Sequence, residues 1–377
     1  MKKNGKKLLK LIPLLLGGAV GALLGFGIAS GLDQALGDAS PLLMLGAYAA
    51  LLLGVYVIYM LHVILHEAGH LLCGLMTGYR FCSFRVMSLM WQKNRGGRIR
   101  FSRMTLAGTG GQCLMIPPEW TDNGFPFLLY NLSGALMNLL LGFFCALCAH
   151  WLRAWPIPHL LLNISAVFGL GFALLNGLPM PGLTASNDGS NILALRRSAA
   201  ARRALWVQMK INEQLSLGLR LKDMPDEWFA APPEEEMDHP LVCALAVFAV
   251  NRQMDQLRLA EAEAGIHALF RRKKGLLPVY RSLLTLEGAC CELLLSHPGK
   301  LTEELASPAV QQVMKAMKTY PTVLRTRCIT ALLQDRDEEK FTRAMEEFDR
   351  RSSAHPNPQE IDSERELIAL AQEVFHA

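Results

Sequence analysis

A long uncharged run constrains this chain more than any other feature of its sequence. From Pro41 to Met60 every residue is apolar, aromatic or small, and no charged side chain occurs between Pro41 and Glu67. A helix of roughly 20 such residues is long enough to cross the hydrocarbon core of a bilayer, which is about 30 Å thick. The run therefore predicts a membrane-spanning helix.

The sequence His66-Glu67-Ala68-Gly69-His70 lies at the end of this run. Helical residues four apart share a face, so both imidazoles can reach one metal ion, and Glu67 can act on a water beside it. Two imidazoles leave Zn²⁺ short of a tetrahedral shell, and a catalytic site keeps one position open for water. Because ionisable groups inside a membrane span are costly and usually functional, we interpret this motif as a metal site that needs a third protein ligand.

Composition separates the chain into two parts. It has 377 residues, of which 51% are hydrophobic, and the apolar residues are concentrated in the first 180 positions. This profile is typical of a membrane domain with a soluble tail. The net charge of +5 is modest, and the basic residues are not interleaved with aromatic ones, so nucleic acid is not an expected partner. The nine cysteines form neither a disulfide framework nor a cysteine-type zinc site.

The N-terminal residues and the segment 78–125 predict the topology. Five lysines precede an uncharged run from residue 11 to 29, which we interpret as a first membrane helix with a cytoplasmic N-terminus. A secretory signal peptide is the alternative, but this run is longer than a usual signal core. Segment 78–125 carries seven basic residues against two acidic ones and is therefore placed on the cytoplasmic side. Within it, residues 81–90 and 97–104 predict a β-hairpin.

Two further apolar runs, at residues 125–151 and 160–175, complete about four predicted spans. The first contains Gly134 four positions before Asn138. Small residues let membrane helices approach closely, and a buried asparagine can then form a hydrogen bond across the contact. We expect this pattern to mark a tight helix contact.

The fourth run ends in Asn176-Gly-Leu-Pro-Met-Pro-Gly and reaches Asp188-Gly189 a few residues later. Prolines and glycines interrupt the helix here. An Asp-Gly pair alone is typical of an ordinary turn. However, the four-helix topology brings Asp188 to the same membrane face as His66 and His70, so Asp188 is the expected third ligand.

The C-terminal half predicts a different architecture. Residues 201–240 form a helical connection and a linker rich in proline and glutamate, and residues 241–377 repeat apolar positions at helical spacing in segments of about 15 residues. The segments predict a soluble, all-α, solenoid-like domain that resembles tetratricopeptide repeats. The predicted fold is thus an all-α polytopic membrane domain with a β-hairpin region (1–200), followed by a cytoplasmic helical domain.

Three motifs stand in a fixed order over residues 40–192: HEAGH on a membrane helix, G-x-x-x-N on the next, and N-x-x-P followed by D-G after another. This order resembles the site-2 protease family of intramembrane zinc metalloproteases. The resemblance implies that one Zn²⁺ ion is bound by His66, His70 and Asp188. It also implies that Glu67 is the general base.

The same resemblance assigns Asn138 and Asn176 to substrate positioning. It identifies segment 78–125 with a membrane-associated hairpin that can pair with an extended substrate. In the family the D-G pair follows the second proline very closely, whereas here residues 182–187 intervene.

The expected function is hydrolysis of peptide bonds in a membrane protein or peptide by a multi-pass protein of the cell membrane, with both termini cytoplasmic. The helical domain is expected to bind substrate or a protein partner. A membrane metal transporter is one alternative, but it should show a second ligand cluster, and only His62 lies near the motif. A catalytically silent membrane anchor for the helical domain is another.

Overall fold

A computed structural model describes residues 18, 21–22, 25–27, 30–31, 37, 40–94, 96–104, 110–122, 124–179, 187–353, 355 and 357–377. The described chain is mostly helical, with one small antiparallel sheet. Its contacts divide it into two units, Met1–Tyr79 with Pro126–Arg197 and Arg80–Phe125 with Ser198–Ala377. This division differs from the predicted domain boundaries, because segment 80–125 groups with the C-terminal helices.

The first unit contains helices α1 (Pro41–Met76), α2 (Leu128–Trp151), α3 (Pro156–Gly177) and α4 (Asp188–Arg197). The first three are long and apolar enough to span a membrane, and they are the only such helices among the described residues. The second, third and fourth predicted spans are therefore helical. The predicted first helix lies largely outside the described residues, although its described positions, such as Gly21 and Phe26, are helical.

Helix α1 begins where Ser40 accepts a hydrogen bond from Leu43 N and Pro41 occupies the first turn. Its 36 residues correspond to about 54 Å at helical rise, which exceeds the thickness of a hydrocarbon core. The helix ends at Thr77 and Gly78, where Gly78 adopts a φ of 86°. The histidine motif occupies its last turns, where buried residues replace the exposed apolar side chains of its first half.

Small residues allow the first three helices to pack closely. A Cβ at Gly69 of α1 would lie 2.6 Å from the carbonyl oxygen of Ser133 on α2. Where α2 meets α3, a Cβ at Gly169 would lie 2.6 Å from Gly142 Cα. Such contacts exclude any larger residue without a backbone shift, so these glycines set the spacing of the three helices.

The second unit contains a four-stranded antiparallel sheet in the order β3-β2-β1-β4, formed by β1 (Arg80–Val86), β2 (Leu89–Lys93), β3 (Ile99–Arg103) and β4 (Gly111–Ile116). The predicted hairpin is confirmed as the β2–β3 pair, in which Lys93 is opposite Ile99. The prediction of one strand over residues 81–90 is wrong, because a turn at Met87 divides it into β1 and β2. Met87 has a φ of 53°, which a non-glycine residue rarely adopts.

The sheet is attached to the helices of its own unit by polar contacts. Arg80 forms an ion pair with Glu213 at 2.9 Å on α5 (Ala199–Ser216), and Trp206 Nε1 on the same helix donates to Pro118 O at 2.9 Å. Near the C-terminus, Gln92 Nε2 donates to Asn357 Oδ1 at 2.9 Å. These long-range contacts explain why segment 80–125 groups with the C-terminal half.

Most helices of the second unit pack against a neighbour in the chain, and many of their buried apolar residues form two clusters. After α5 the helices are α6 (Pro240–Asp255), α7 (Leu259–Arg271), α8 (Pro278–Leu294), α9 (Lys300–Glu304), α10 (Pro308–Ala316), α11 (Pro321–Ile329), a π-helical turn (Thr330–Gln334), α12 (Glu338–Ser352) and α13 (Pro358–His376). Short 3₁₀ turns, Leu221–Asp223, Asp226–Trp228 and Glu236–Asp238, occupy much of the segment predicted as a linker. Trp228 and Phe229 in that segment are buried, so it packs within the unit.

Candidate metal centre

Three side chains of the first unit converge at one point. His66 Nε2 and His70 Nε2 are 3.3 Å apart, and Asp188 Oδ2 lies 3.2 Å from the first and 3.5 Å from the second. Zinc–nitrogen and zinc–oxygen bonds are about 2.0–2.2 Å long, so two ligand atoms at a tetrahedral angle are separated by roughly 3.3–3.6 Å. The three distances thus fit a single Zn²⁺ ion with a fourth position left over.

Gly134 leaves space beside these ligand atoms. A Cβ at this position would lie 2.5 Å from His66 Nε2 and 2.6 Å from His70 Nε2. Asp188 Oδ2 is buried and makes no hydrogen bond of good geometry within the described part of the chain. An unpaired carboxylate oxygen facing two imidazole nitrogens is a donor set suited to a cation.

Asp188 is positioned by the residue before it. Asn187 Nδ2 donates to Leu175 O at 2.7 Å and to Leu178 O at 2.6 Å, which ties the start of α4 to the end of α3. Asn187 Oδ1 accepts from Ser190 N at 3.0 Å and so caps the first turn of α4. These contacts fix Asp188 at the first position of α4, although residues 180–186 of the predicted helix break lie outside the described residues.

The second nitrogen of each imidazole has its own partner. His70 Nδ1 lies 2.7 Å from Tyr130 O. Because a carbonyl oxygen only accepts, this nitrogen carries the proton, and Nε2 of a neutral His70 presents a lone pair to the centre. This orientation is typical of a histidine that binds a metal.

His66 is connected to a buried polar chain instead. Its Nδ1 lies 3.1 Å from Asn138 Nδ2, Asn138 Oδ1 lies 3.0 Å from His62 Nδ1, and His62 Nε2 lies 3.0 Å from Ser165 O and 3.1 Å from Ser165 Oγ. His62 and Asn138 are almost completely buried. The chain extends the centre across α1, α2 and α3.

This chain admits two arrangements of protons. In one, Ser165 Oγ donates to His62 Nε2, and Asn138 Nδ2 donates to His66 Nδ1. The proton of His66 is then on Nε2 and points at Asp188. In the other, His62 Nε2 donates to Ser165, and the Asn138 amide is rotated by half a turn so that its oxygen accepts from His66 Nδ1. The second arrangement is the one that gives Ser165 O, which can only accept, a proton from His62 Nε2, and it alone frees His66 Nε2 for a metal. Asn138 therefore controls which form of His66 is present.

Glu67 is buried, with 8% of its surface exposed, and directly follows His66 on α1. Asn176 donates to Phe172 O of its own helix at 3.0 Å. The structure thus joins Asn138 to the centre as a partner of His66, and the substrate-positioning role predicted for Asn138 and Asn176 stays a prediction.

Sequence reasoning did not assign roles to Asn187 and Ser165, and it assigned Gly134 to a helix contact rather than to the space beside the histidines. One signal was available for His62, because residues 62, 66 and 70 are four apart and form a single stripe on α1. For Ser165 no sequence signal was available, because its role depends on how α3 packs against α1.

A second group of possible ligands lies in the other unit, where atoms of Glu263, His267 and Glu292 are within 4.8 Å of one another. Glu292 already accepts hydrogen bonds from the backbone of Gly299, Leu301 and Thr302 and from the Thr302 hydroxyl. Burial raises the pKa of Glu292, but these hydrogen bonds outweigh it and lower the pKa below its usual value. Glu292 is thus the anionic cap of the short helix α9.

Comparison with known proteins gave no relative: no family model, curated protein or solved structure matches this chain.

Proposed function

We propose that this chain is an intramembrane zinc metalloprotease that hydrolyses peptide bonds of membrane-associated substrates. The observation that carries the proposal is the near-equilateral arrangement of His66 Nε2, His70 Nε2 and Asp188 Oδ2 on helices of membrane-spanning length. The resemblance of its three motifs to the site-2 protease family supports the same function. We further propose that the protein is multi-pass with cytoplasmic termini, and that the second unit contains a cytoplasmic helical domain.

In this proposal each step is assigned to particular residues of the chain. His66, His70 and Asp188 would hold the ion, and Tyr130 O and Asn138 would orient the two imidazoles. A zinc ion, when bound, supplies Lewis-acid chemistry that polarises a carbonyl and eases the deprotonation of water. Glu67 accepts the proton of the attacking water and returns it to the leaving amine. A helical substrate must first unwind to expose its carbonyl groups.

Strand addition offers a way to hold an unwound peptide. Strand β3 is at an edge of the sheet, and Ile99 and Phe101 on it are exposed. An extended peptide can add to such an edge through backbone hydrogen bonds. We propose this edge as the surface that binds the unwound substrate.

A membrane metal transporter is the competing function. Transport requires further ligands along a path, and within the described residues of the first unit the only grouped ligands are those of the candidate centre. His62 does not add a ligand, because Asn138 and Ser165 engage both of its nitrogens. The described side chains therefore favour a single fixed centre.

The experiment that tests the proposal compares the full chain with E67Q in detergent micelles, using fluorescein-labelled casein as the probe. Glutamine matches glutamate in size but cannot take up the proton, so E67Q should keep its zinc and lose cleavage by at least about 100-fold. E346Q, at an exposed position on α12, is the matched control and should cleave normally. Equal cleavage by E67Q would exclude Glu67 as the base.

A further inference from the structure

A cavity of about 160 Å³ opens on the helical part of the second unit. Its walls come from the end of α5, from α6 and α8, and from the starts of α11 and α13. It lies entirely within this unit and has no role in the candidate metal centre. Its volume is comparable with that of one long side chain.

Negative charge dominates the lining. The charged residues that face the cavity are one guanidinium and four carboxylates: Arg220, Asp255, Glu287, Glu360 and Glu364. Arg220 is already paired with Asp255 at 2.6 Å and with Glu366 at 2.5 Å. It therefore offers no positive charge to the other three carboxylates.

A single buried cation serves two of those three carboxylates. Arg325, which is completely buried, donates to Glu287 at 2.6 Å and to Glu364 at 2.7 Å. Glu364 also accepts from the Thr322 hydroxyl at 2.9 Å. One guanidinium is thus shared between two carboxylates beside the cavity.

Glu360 adds a further carboxylate. Its Oε1 accepts from Asn357 Nδ2 at 2.8 Å, and its Oε2 lies 3.9 Å from His355 Nε2, which compensates the carboxylate only when the imidazole is protonated. Burial raises the pKa of both Glu360 and Glu287 above the usual value, and the nearby Glu364 carboxylate contributes to this, although Arg325 lowers the pKa of Glu287 and His355 that of Glu360. A positive group placed among these carboxylates would relieve both the desolvation and the repulsion.

Aromatic rings complete the lining. Phe248 and Tyr320 both face the cavity, and aromatic faces attract ammonium and guanidinium groups. Carboxylates beside aromatic walls in a small cavity are suited to a cation on an apolar stem. We propose that this cavity binds the basic side chain of a peptide, an arginine or a lysine.

The next step rests on the proposed protease function. For a protease, the bound side chain would be a feature of its substrate. Membrane helices carry an excess of arginine and lysine on their cytoplasmic flanks. A basic-residue cavity in a cytoplasmic domain would therefore select substrates by the residues that flank their membrane segment.

Binding can be tested without any cleavage. The probe is a fluorescein-labelled hexapeptide of glycine and serine with one central arginine, and its counterpart carries norleucine instead. Both are titrated by fluorescence anisotropy against the full chain bearing E67Q in detergent, at about 0.15 M salt, where exposed charges are largely screened. The arginine peptide should bind at least about tenfold more tightly, because loss of one member of a buried charge pair costs at least this much.

The decisive variant is E360Q, which retains an acceptor for Asn357 and removes only the charge. It should weaken binding of the arginine peptide by about tenfold and leave the norleucine peptide unchanged. E346Q removes an exposed charge outside the cavity and should change neither. Equal binding of the two peptides, or equal loss in E360Q and E346Q, would overturn the cavity assignment.

Competition by free argininamide distinguishes a peptide ligand from a small basic molecule. Argininamide should compete less well than the peptide, and competition with equal affinity would refute the peptide assignment. Because these readouts involve neither zinc nor cleavage, they can fail while the E67Q experiment succeeds, and the reverse also holds.

Discussion

Substitution of Asn138 tests whether the buried polar chain controls the metal centre. Aspartate has two acceptor oxygens and no donor, so N138D can only accept from His66 Nδ1, and this leaves His66 Nε2 free for the ion. Leucine has the same branched shape and number of side-chain heavy atoms but forms no hydrogen bond, so N138L removes the partner that orients His66. The two variants therefore change the same contact in opposite directions.

The magnitude follows from the role of Asn138 as the outer partner of His66, which we propose to bind the metal. Asn138 Nδ2 lies 3.1 Å from His66 Nδ1, and the amide is almost completely buried, so no solvent replaces it. Loss of such a partner typically weakens metal affinity by about 10–100-fold, or about 1.4–2.7 kcal/mol. We expect this loss in N138L. N138D should bind zinc within about threefold of the natural chain or more tightly, because a carboxylate is the stronger acceptor for the imidazole N–H.

The assay is competition for zinc between the detergent-solubilised protein and a chromophoric chelator. Asn131 supplies the matched control, since it is buried on the same helix but its amide donates to the backbone oxygen of Phe127 at 2.8 Å. N131L should therefore keep its zinc affinity. If N138L binds zinc as tightly as the natural chain, or N138D as weakly as N138L, the proposed control of His66 by Asn138 is wrong.

Two further predictions concern one residue at the centre and one far from it. G134A should reduce the zinc content to background, because its Cβ would lie 2.5 Å from His66 Nε2. The control G46A should retain zinc, because a Cβ at Gly46 has no neighbouring atom within 4 Å. E292Q should lower the melting temperature of the second unit at neutral pH, as followed by circular dichroism. The folded-state pKa of Glu292 is below its ordinary value of 4.5, so its carboxylate stabilises the fold above that pH and the stabilisation is lost as pH falls. The difference between E292Q and the natural chain should therefore shrink below about pH 4.5, and an equal difference at pH 4 and pH 7 would contradict this assignment.

The sequence predicted that His66, His70 and Asp188 lie together because their positions follow simple periodicity. The four-residue spacing of His66 and His70 places them on one helical face, and the order of the apolar runs brings Asp188 to the same level. The polar chain behind His66 depends on the register between three helices. Glycine contacts at Gly69, Gly142 and Gly169 set that register, and a single sequence does not reveal which glycines meet.

The sheet shows why the rest was less predictable. Residues 81–90 read as one strand because no glycine, proline or asparagine interrupts them, yet Met87 turns the chain. The grouping of this sheet with the C-terminal half depends on contacts such as Gln92 with Asn357, which join residues 265 positions apart. No local pattern carries that information.

The central claim is that His66, His70 and Asp188 together hold one zinc ion, and metal analysis of the purified full chain tests it most directly. The natural chain should contain about one zinc per molecule, because the three ligand atoms fit one ion. D188A should lose that zinc, while D362A, which removes an exposed carboxylate on α13, should keep it. Retention of one zinc per molecule by D188A would contradict the assignment of the centre.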